Sequence, residues 1–409
     1  MEYIYHLIHD NIHEFVSILD MCKTLHHITM TEKVIRSYIY NIHTFVVHKI
    51  SSLKFFYKCN NLTCLYFNYP FRRDALSKFN LCDKLKHLQF LSVAIYLSHN
   101  YINSTFFTLT QLKSLSLIDF VSETIWYKSI NNITNLILLE NLRLKCDINI
   151  SEKRIIDWSH YLTRLTNFMF CEKNSSNIKL NTVLKRVIGV LSYKMESYFS
   201  RYSNLENVRV NLLNYFPSDK SLEINITNPK LTELYLYSNR FLTNLLVSND
   251  CFERISHLTL ENVGFVNNHM RASNLISLHI LRSEPFDFQC VIQKFITSTH
   301  LTNIILNDCH FDNISQILKY HEDLKEIMIV GEIQNGKKLK CVKHLEHLIL
   351  VNNKFFVNFR DFEKLKRITL ANTDSEMNSR RLRHKKDVEI IYSESELCIE
   401  KYKHRLQEF

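Results

Sequence analysis

The residues most suggestive of chemistry are Gly331-Glu-Ile-Gln-Asn-Gly336-Lys337-Lys338, which nearly spell GxxxxGK[ST] after an apolar run. A phosphate-cradling loop of that kind needs Ser or Thr after its lysine to hold magnesium, and a substantial helix to follow. Lys338 occupies the hydroxyl position, and a new apolar pattern already starts at Leu345. Histidines gather at His6, His9, His13, His26 and His27, with His9 and His13 one helical turn apart, a spacing that could hold a metal. With 20 histidines in the chain such pairs are expected by chance, so solvated helix faces are the expectation and no metal site is assigned. The eleven cysteines are scattered, with no CxxC pair, and no Ser lies in a GxSxG turn. Two basic runs remain, Lys337 to Lys343 and Arg380 to Lys386. The second, SRRLRHKK, has the composition of a nuclear-targeting or phosphate-binding patch.

Composition narrows the field further. The chain has 409 residues, 46% hydrophobic and 22% charged, with a formal charge of +10. Those proportions suit a folded chain that buries a core, and they exclude disordered and collagen-like classes. Only 4 glycines and 4 prolines occur. Sites that bring backbone close to a nucleotide need glycine, so the composition argues against a nucleotide enzyme. No cofactor is expected. The first residues, MEYIYHLIHDNIHEF, lack the basic and apolar regions of a signal peptide. No apolar run approaches the ~20 residues that span a bilayer. With unpaired thiols, these features predict a soluble, monomeric protein of the cytoplasm, with nuclear targeting as the alternative that SRRLRHKK raises.

The elements that would have to position any site come from an internal repeat. LTELYLYSNRF (Leu231 to Phe241) and LEHLILVNNKF (Leu345 to Phe355) share one pattern, and LTNIILNDCHF (Leu301 to Phe311) repeats it with Cys309 at the Asn position. Looser copies begin at Leu62, Leu85, Leu112, Leu139, Leu165, Leu205, Ile255, Leu275, Leu324 and Leu365. Successive starts lie 20 to 27 residues apart, with one interval of 40 between Leu165 and Leu205. The pattern LxxLxLxxN resembles the leucine-rich repeat family, whose units run roughly 20 to 29 residues. In such a unit LxL puts two apolar side chains on one face of a short strand and the residues between them on the other. One unit cannot bury its apolar face alone, so stacked units share a core.

The predicted fold is therefore α/β, a curved leucine-rich repeat solenoid with parallel strands on the concave face and helices and turns on the convex one. Helical spacing after Phe311 (DNISQILKYHEDL) and after Phe286 (DFQCVIQKFITST) marks two of the returning helices. The organisation predicted is a helical segment over residues 1–55, the solenoid over 56–392 with a helical irregularity near 175–204, and a C-terminal helix over 393–409. Within the irregularity, IKLNTVLKRVIGVLSYKMESYFSRY reads as basic and largely helical, either an inserted helix or a degenerate repeat.

In residues 1–55, Ile12, Phe15, Ile18, Leu19, Cys22 and Leu25 form an apolar stripe at helical spacing. The stretch through Met21-Cys22-Lys23-Thr24-Leu25 resembles the second half of an F-box, although the family's Leu-Pro-x-Glu opening is absent. The resemblance implies that Ile12, Phe15, Leu19, Cys22 and Leu25 dock on a Skp-type adaptor of a cullin ubiquitin ligase while the repeats select its substrate. The alternative is a cap on the first repeat.

The reading of function is a non-enzymatic scaffold that recognises a protein on the concave face. The residues beside the inner leucines would meet that partner: Tyr235, Tyr237, Thr259, Glu261, His279, Ile305, Asn307, Met328, Ile349, Val351 and Thr369. Tyr and Met suit such a role because they offer large, adaptable contact area. A nucleic-acid-binding or nuclear adaptor using residues 337–343 and 380–386 is the alternative, and an enzyme is disfavoured. Nucleic acid is the less expected partner, because +10 spread over 409 residues is a mild bias.

Overall fold

A computed structural model describes residues 44–47, 62–71, 85, 87–95, 107–119, 125–126, 131–145, 148–149, 156–170, 178–190, 201–212, 222–224, 228–247, 252–265, 272–281, 300–307, 321, 323–331, 344–352, 362–371 and 388–393. Sixteen strands follow one another through the chain: β1 Thr44–Val47, β2 Cys64–Phe71, β3 Phe90–Ile95, β4 Ser114–Asp119, β5 Asn141–Lys145, β6 Asn167–Phe170, β7 Arg186–Val190 and β8 Asn207–Asn211, then β9 Glu233–Val247, β10 His257–Phe265, β11 Ser277–Leu281, β12 Asn303–Asn307, β13 Glu326–Val330, β14 His347–Val351, β15 Arg367–Ala371 and β16 Glu389–Ser393. Each pairs in parallel with the next, so sequence order is spatial order. A short strand, Leu222–Ile224, joins the same sheet by pairing with the far end of β9. The molecule is a leucine-rich repeat solenoid.

The register shows why. Leu234 stands beside Leu258, Leu278, Ile304, Ile327, Leu348 and Ile368 across seven strands, and Leu236 heads a second row of the same kind. All of these side chains are buried in one continuous cluster with the first leucine of each repeat. Entry to each strand is a tight turn. Leu165 N–H donates to the Leu162 carbonyl, Leu205 N–H to that of Tyr202, and Leu275 N–H to that of Ala272. At these three entries the residue three before the repeat's first leucine is part of the core, as Leu162, Tyr202 and Ala272 show. Hydroxyls one residue after the first leucine tie neighbouring turns together: Thr166 Oγ1 donates to the Glu140 carbonyl, Thr232 to Glu206 and Thr302 to Ile276.

Strand exits are equally regular. Asn262, Gly331 and Asn352 all have positive φ (55°, 89° and 54°), and all lie seven residues after a repeat start. L-residues other than Asn and Asp rarely adopt that conformation, so Gly or Asn is selected there. Gly331 N–H donates to the Val351 carbonyl and Asn352 N–H to that of Ala371. The glycine that opened the phosphate-loop lookalike is thus explained by the repeat itself.

Three sequence expectations change. First, the repeat assigned to Leu85 starts at Leu88. Leu91 pairs with Leu65 in the inner row, while Leu85 is the turn residue whose carbonyl accepts from Leu88 N–H. Second, the 40-residue interval, read as an inserted helix or a degenerate repeat, holds a repeat that begins at Leu184, and residues 186–190 of its largely helical reading form a strand. Strand β7 pairs with β6 on one side and β8 on the other. The motif there is Leu184-x-x-Val187-x-Gly189, with glycine at the second inner position. The ring of Phe170, on β6, fills the space: a Cβ at residue 189 would lie 2.3 Å from Phe170 Cζ. Third, residues 44–47, within the segment read as helical, form β1 and extend the sheet by one strand before the first repeat identified in the sequence. Strand β16 ends at Ser393, the first residue of the segment read as the C-terminal helix.

Helix is scarce among the described residues, where a 3-10 helix at Asn131–Asn135 is one such element. The returning helices expected after Phe286 and Phe311, most of residues 1–55 and the C-terminal helix after residue 393 lie outside the described residues.

Candidate interaction surface

Each strand gives its odd positions to the face opposite the leucine core, and parallel register lines them up in three rows. The first runs through Asn167, Arg186, Asn207, Glu233, His257, Ser277, Asn303, Glu326, His347, Arg367 and Glu389. It is a chain of polar contacts between neighbouring repeats. Asn207 Nδ2 donates to Glu233 Oε2, and Asn303 Nδ2 donates to Glu326 Oε1 at 3.1 Å. His347 lies 3.0 Å from Glu326 Oε2 through Nδ1 and 3.1 Å from Thr369 Oγ1 through Nε2. Arg367 Nε donates to Glu389 Oε2 at 2.7 Å.

The middle row divides into two chemically different halves. Met169, Ile188, Arg209, Tyr235 and Thr259 are partly accessible. His279, Ile305, Met328, Ile349 and Thr369 are buried, with Ile349 at 0% exposure and Met328 at 2%. In the third row Tyr237 and Glu261 are likewise half-buried, whereas Leu281, Val330, Val351 and Ala371 are buried. Leu281, Ile305, Met328, Val330, Ile349, Val351 and Ala371 together form a second hydrophobic cluster, distinct from the leucine core.

All eleven predicted partner-binding residues therefore stand on the face the register assigned them, but their exposure differs from the expectation. Tyr235, Tyr237, Thr259, Glu261 and Asn307 keep solvent access. His279, Ile305, Met328, Ile349, Val351 and Thr369 do not. The physical reason is visible in the types: Ile, Met and Val at adjacent positions of three neighbouring strands make an apolar face that is stable only when covered. The F-box-like residues Ile12, Phe15, Leu19, Cys22 and Leu25, the five histidines between His6 and His27, and both basic runs lie outside the described residues.

The accessible half has its own structure. The Arg209 guanidinium lies over the Tyr235 ring, 4.1 Å from its centroid. The Tyr235 hydroxyl donates to Glu261 Oε2. Burial, reinforced by that hydrogen bond, pushes the Tyr235 phenol far above its usual range, so it stays protonated and a donor. Arg186, one strand away, is half-buried, and desolvation lowers its pKa against the opposing pull of Glu233. Arg209 and Tyr235 also line a pocket, together with Asn207, Glu233, Leu234, His257, Leu258, Thr259, Ser277 and His279. In its wall Ser277 Oγ lies 2.9 Å from His279 Nε2 and Thr259 Oγ1 lies 3.4 Å from His279 Nδ1.

The arginine side of this surface was missed from the sequence. Arg186 sits in the repeat hidden by Gly189, and Arg209 sits in a loose copy whose inner residues are valines. The available signal was the LxxVxV spacing after Leu205, which puts Arg209 at the outward position between two inner ones.

Among the described residues, no group of three or more His, Cys, Asp or Glu could hold a metal ion. No helix among them is long and apolar enough to cross a membrane. Cys64, the one described cysteine, is unbridged and half-buried.

No family model and no curated protein matches the chain. Several solved structures resemble it at low identity. An internalin from Listeria monocytogenes is 13% identical, with 87% of this chain and 88% of that one covered and a TM-score of 0.37. A leucine-rich repeat protein from Leptospira interrogans is 15% identical over 88% of this chain and 98% of its own, with a TM-score of 0.45. TLR13, in its complex with ssRNA13, is 14% identical with a TM-score of 0.48, and the match spans 87% of this chain but 62% of the TLR13 chain.

Proposed function

We propose that this protein is an interaction scaffold whose working surface is the accessible half of the outer sheet face, from β6 to β10, and whose partner is another protein. The observation that carries the reading is the division of the middle row. The covered half is Ile305, Met328 and Ile349 between His279 and Thr369, all buried. The accessible half sets an arginine-stacked tyrosine, a threonine and two apolar residues beside a pocket. Half-buried Tyr and Arg are the residue types that anchor protein interfaces, because they combine large contact area with fixed polar groups. On this reading Tyr235, Tyr237, Thr259 and Glu261 are contact residues.

A photo-cross-linking amino acid placed singly at Tyr235 or Thr259 of the full chain tests this against the same probe at Lys185 or Glu206 on the turn edge. Partners captured from Tyr235 and Thr259 support the reading. Partners captured only from the turn edge overturn it.

The F-box resemblance supplies the second part of the proposal, in which Ile12, Phe15, Leu19, Cys22 and Leu25 dock a Skp-type adaptor and the sheet face selects a substrate for ubiquitin transfer. Deletion of residues 1–40 should then abolish adaptor capture while cross-linking at Tyr235 persists. Unchanged adaptor capture, or none by the intact chain, removes this part.

A further inference from the structure

We infer that Arg186 and Arg209 form a carboxylate-binding pair on the sheet face, and that the partner presents an acidic side chain with an apolar residue two positions away. This rests on the proposal that the accessible half of that face is the working surface, and it names what the surface recognises.

Four charged residues cluster there, yet they do not pair with one another. The two carboxylates are already held by neutral donors, Glu233 by the Asn207 amide and Glu261 by the Tyr235 hydroxyl. The two guanidiniums are left over. Arg209 lies over the Tyr235 ring, 4.1 Å from its centroid. Among the described residues, Arg186 Nε is buried and has no hydrogen-bond partner. Neither arginine has an ion pair among the described residues. Desolvation is the largest influence on the charge of Arg186; Glu233 favours that charge from a distance and Arg209 opposes it more weakly. A partly desolvated guanidinium without a direct carboxylate contact gains when an anion reaches its N–H groups. The planar donor fork of arginine matches a carboxylate in bidentate fashion. A third arginine, Arg143, occupies the same middle row on β5.

Carboxylate is favoured over a polyphosphate backbone because Glu233 and Glu261 stand on β9 and β10, the two strands that follow Arg209. A run of phosphates continuing past β8 would meet both. The neighbouring middle-row residues, Ile188 and Met169, are half-buried and apolar. Parallel strands lie about 4.8 Å apart, so the midpoint of Ile188 and Met169 is about 7 Å from Arg209. Side chains two residues apart on an extended peptide are separated by a similar distance and share a face. An acidic residue on the arginine pair would therefore set its second neighbour between Ile188 and Met169.

The test uses a phage-displayed decapeptide library selected on the immobilised full chain. Enrichment of Asp or Glu with an apolar residue two positions away supports the inference. Enriched peptides should bind Arg186→Gln and Arg209→Gln at least about tenfold more weakly, the value of one hydrogen-bonded charge contact. Arg209→Lys, which keeps charge and loses the fork, should weaken binding less. Circular dichroism identical to that of the parent establishes that each variant is folded. An absence of acidic enrichment, or affinity unchanged in both Gln variants, overturns the carboxylate site. If such peptides still lose binding with Tyr235→Ala, the working surface stands and only its ligand class fails. If they cross-link away from Tyr235 and Thr259, the surface itself fails. Displacement of the peptides by a (dT)20 oligonucleotide, with affinity falling steeply as salt rises, would overturn the inference in favour of nucleic acid.

Discussion

Leucine is the residue the repeat pattern prescribes at position 189, yet Gly189→Leu should destabilise the protein. Restoring a repeat consensus commonly adds stability, and glycine in a strand is itself unfavourable. The position is closed by its neighbour. An ideal Cβ at residue 189 would stand 2.3, 2.6 and 2.7 Å from Phe170 Cζ, Cε2 and Cε1, against about 3.5 to 4.0 Å for carbons in contact. The ring would have to retreat by more than an ångström. It has nowhere to go: Phe170 is 1% exposed, and the Phe168 ring lies tilted against it with centroids 5.0 Å apart. Overpacking of this kind costs about 1 to 3 kcal/mol, and the three further carbons of leucine place this variant at the upper end. Phe170→Ala alone opens a cavity and should cost about 3 to 5 kcal/mol. The double variant exchanges the large and small partners, so its loss should be smaller than either single one. Native-state hydrogen exchange over residues 165–190 reads the local opening free energy and avoids assuming that a long repeat array unfolds in one step. Additive losses in the double variant, or a neutral or stabilising Gly189→Leu, would refute the pairing of Phe170 with Gly189.

Three further outcomes follow from the same geometry. Ile349→Ala, on the outer face but fully buried, should cost about 2 to 5 kcal/mol like a core truncation; a loss within about 0.5 kcal/mol in urea denaturation would mean that the second apolar cluster is open to solvent. Leu236→Ala should cost the same 2 to 5 kcal/mol, whereas Tyr235→Phe, which removes only the hydroxyl bonded to Glu261, should cost no more than about 1.5 kcal/mol; equal thermal losses would undo the assigned register. Gly331→Ala puts a side chain at φ 89° and should cost about 1 to 2 kcal/mol, while Gly331→Asn should cost less, since Asn stands at the equivalent exits; a stable Gly331→Ala by the same melts would remove the left-handed turn.

Much of the architecture was legible in the sequence because a solenoid is local. Each repeat spans about two dozen residues, and LxxLxLxxN encodes within it which side chains face the core and where the strand leaves. Leu231, Leu234 and Leu236 declare their burial without reference to anything distant. The failures were of two kinds. At Leu184 the repeat escaped notice because its second inner position is glycine, a choice that makes sense only beside Phe170, nineteen residues earlier on another strand. At Leu85 two overlapping LxxL spacings competed, and pairing with β2 selected Leu88.

The site was legible in direction and not in exposure. Alternation along a strand assigns Tyr235, Ile305 and Ile349 to the same face, because that follows from the pleat. Whether a given stretch of that face is covered depends on what packs over it, which no period of two contains. The nearness of Arg186 to Arg209, and the capture of Glu233 and Glu261 by Asn207 and Tyr235, likewise arise between repeats. Sequence determined the rows; only the stacking of one repeat on the next decided which charges became neighbours and which carboxylates were already taken.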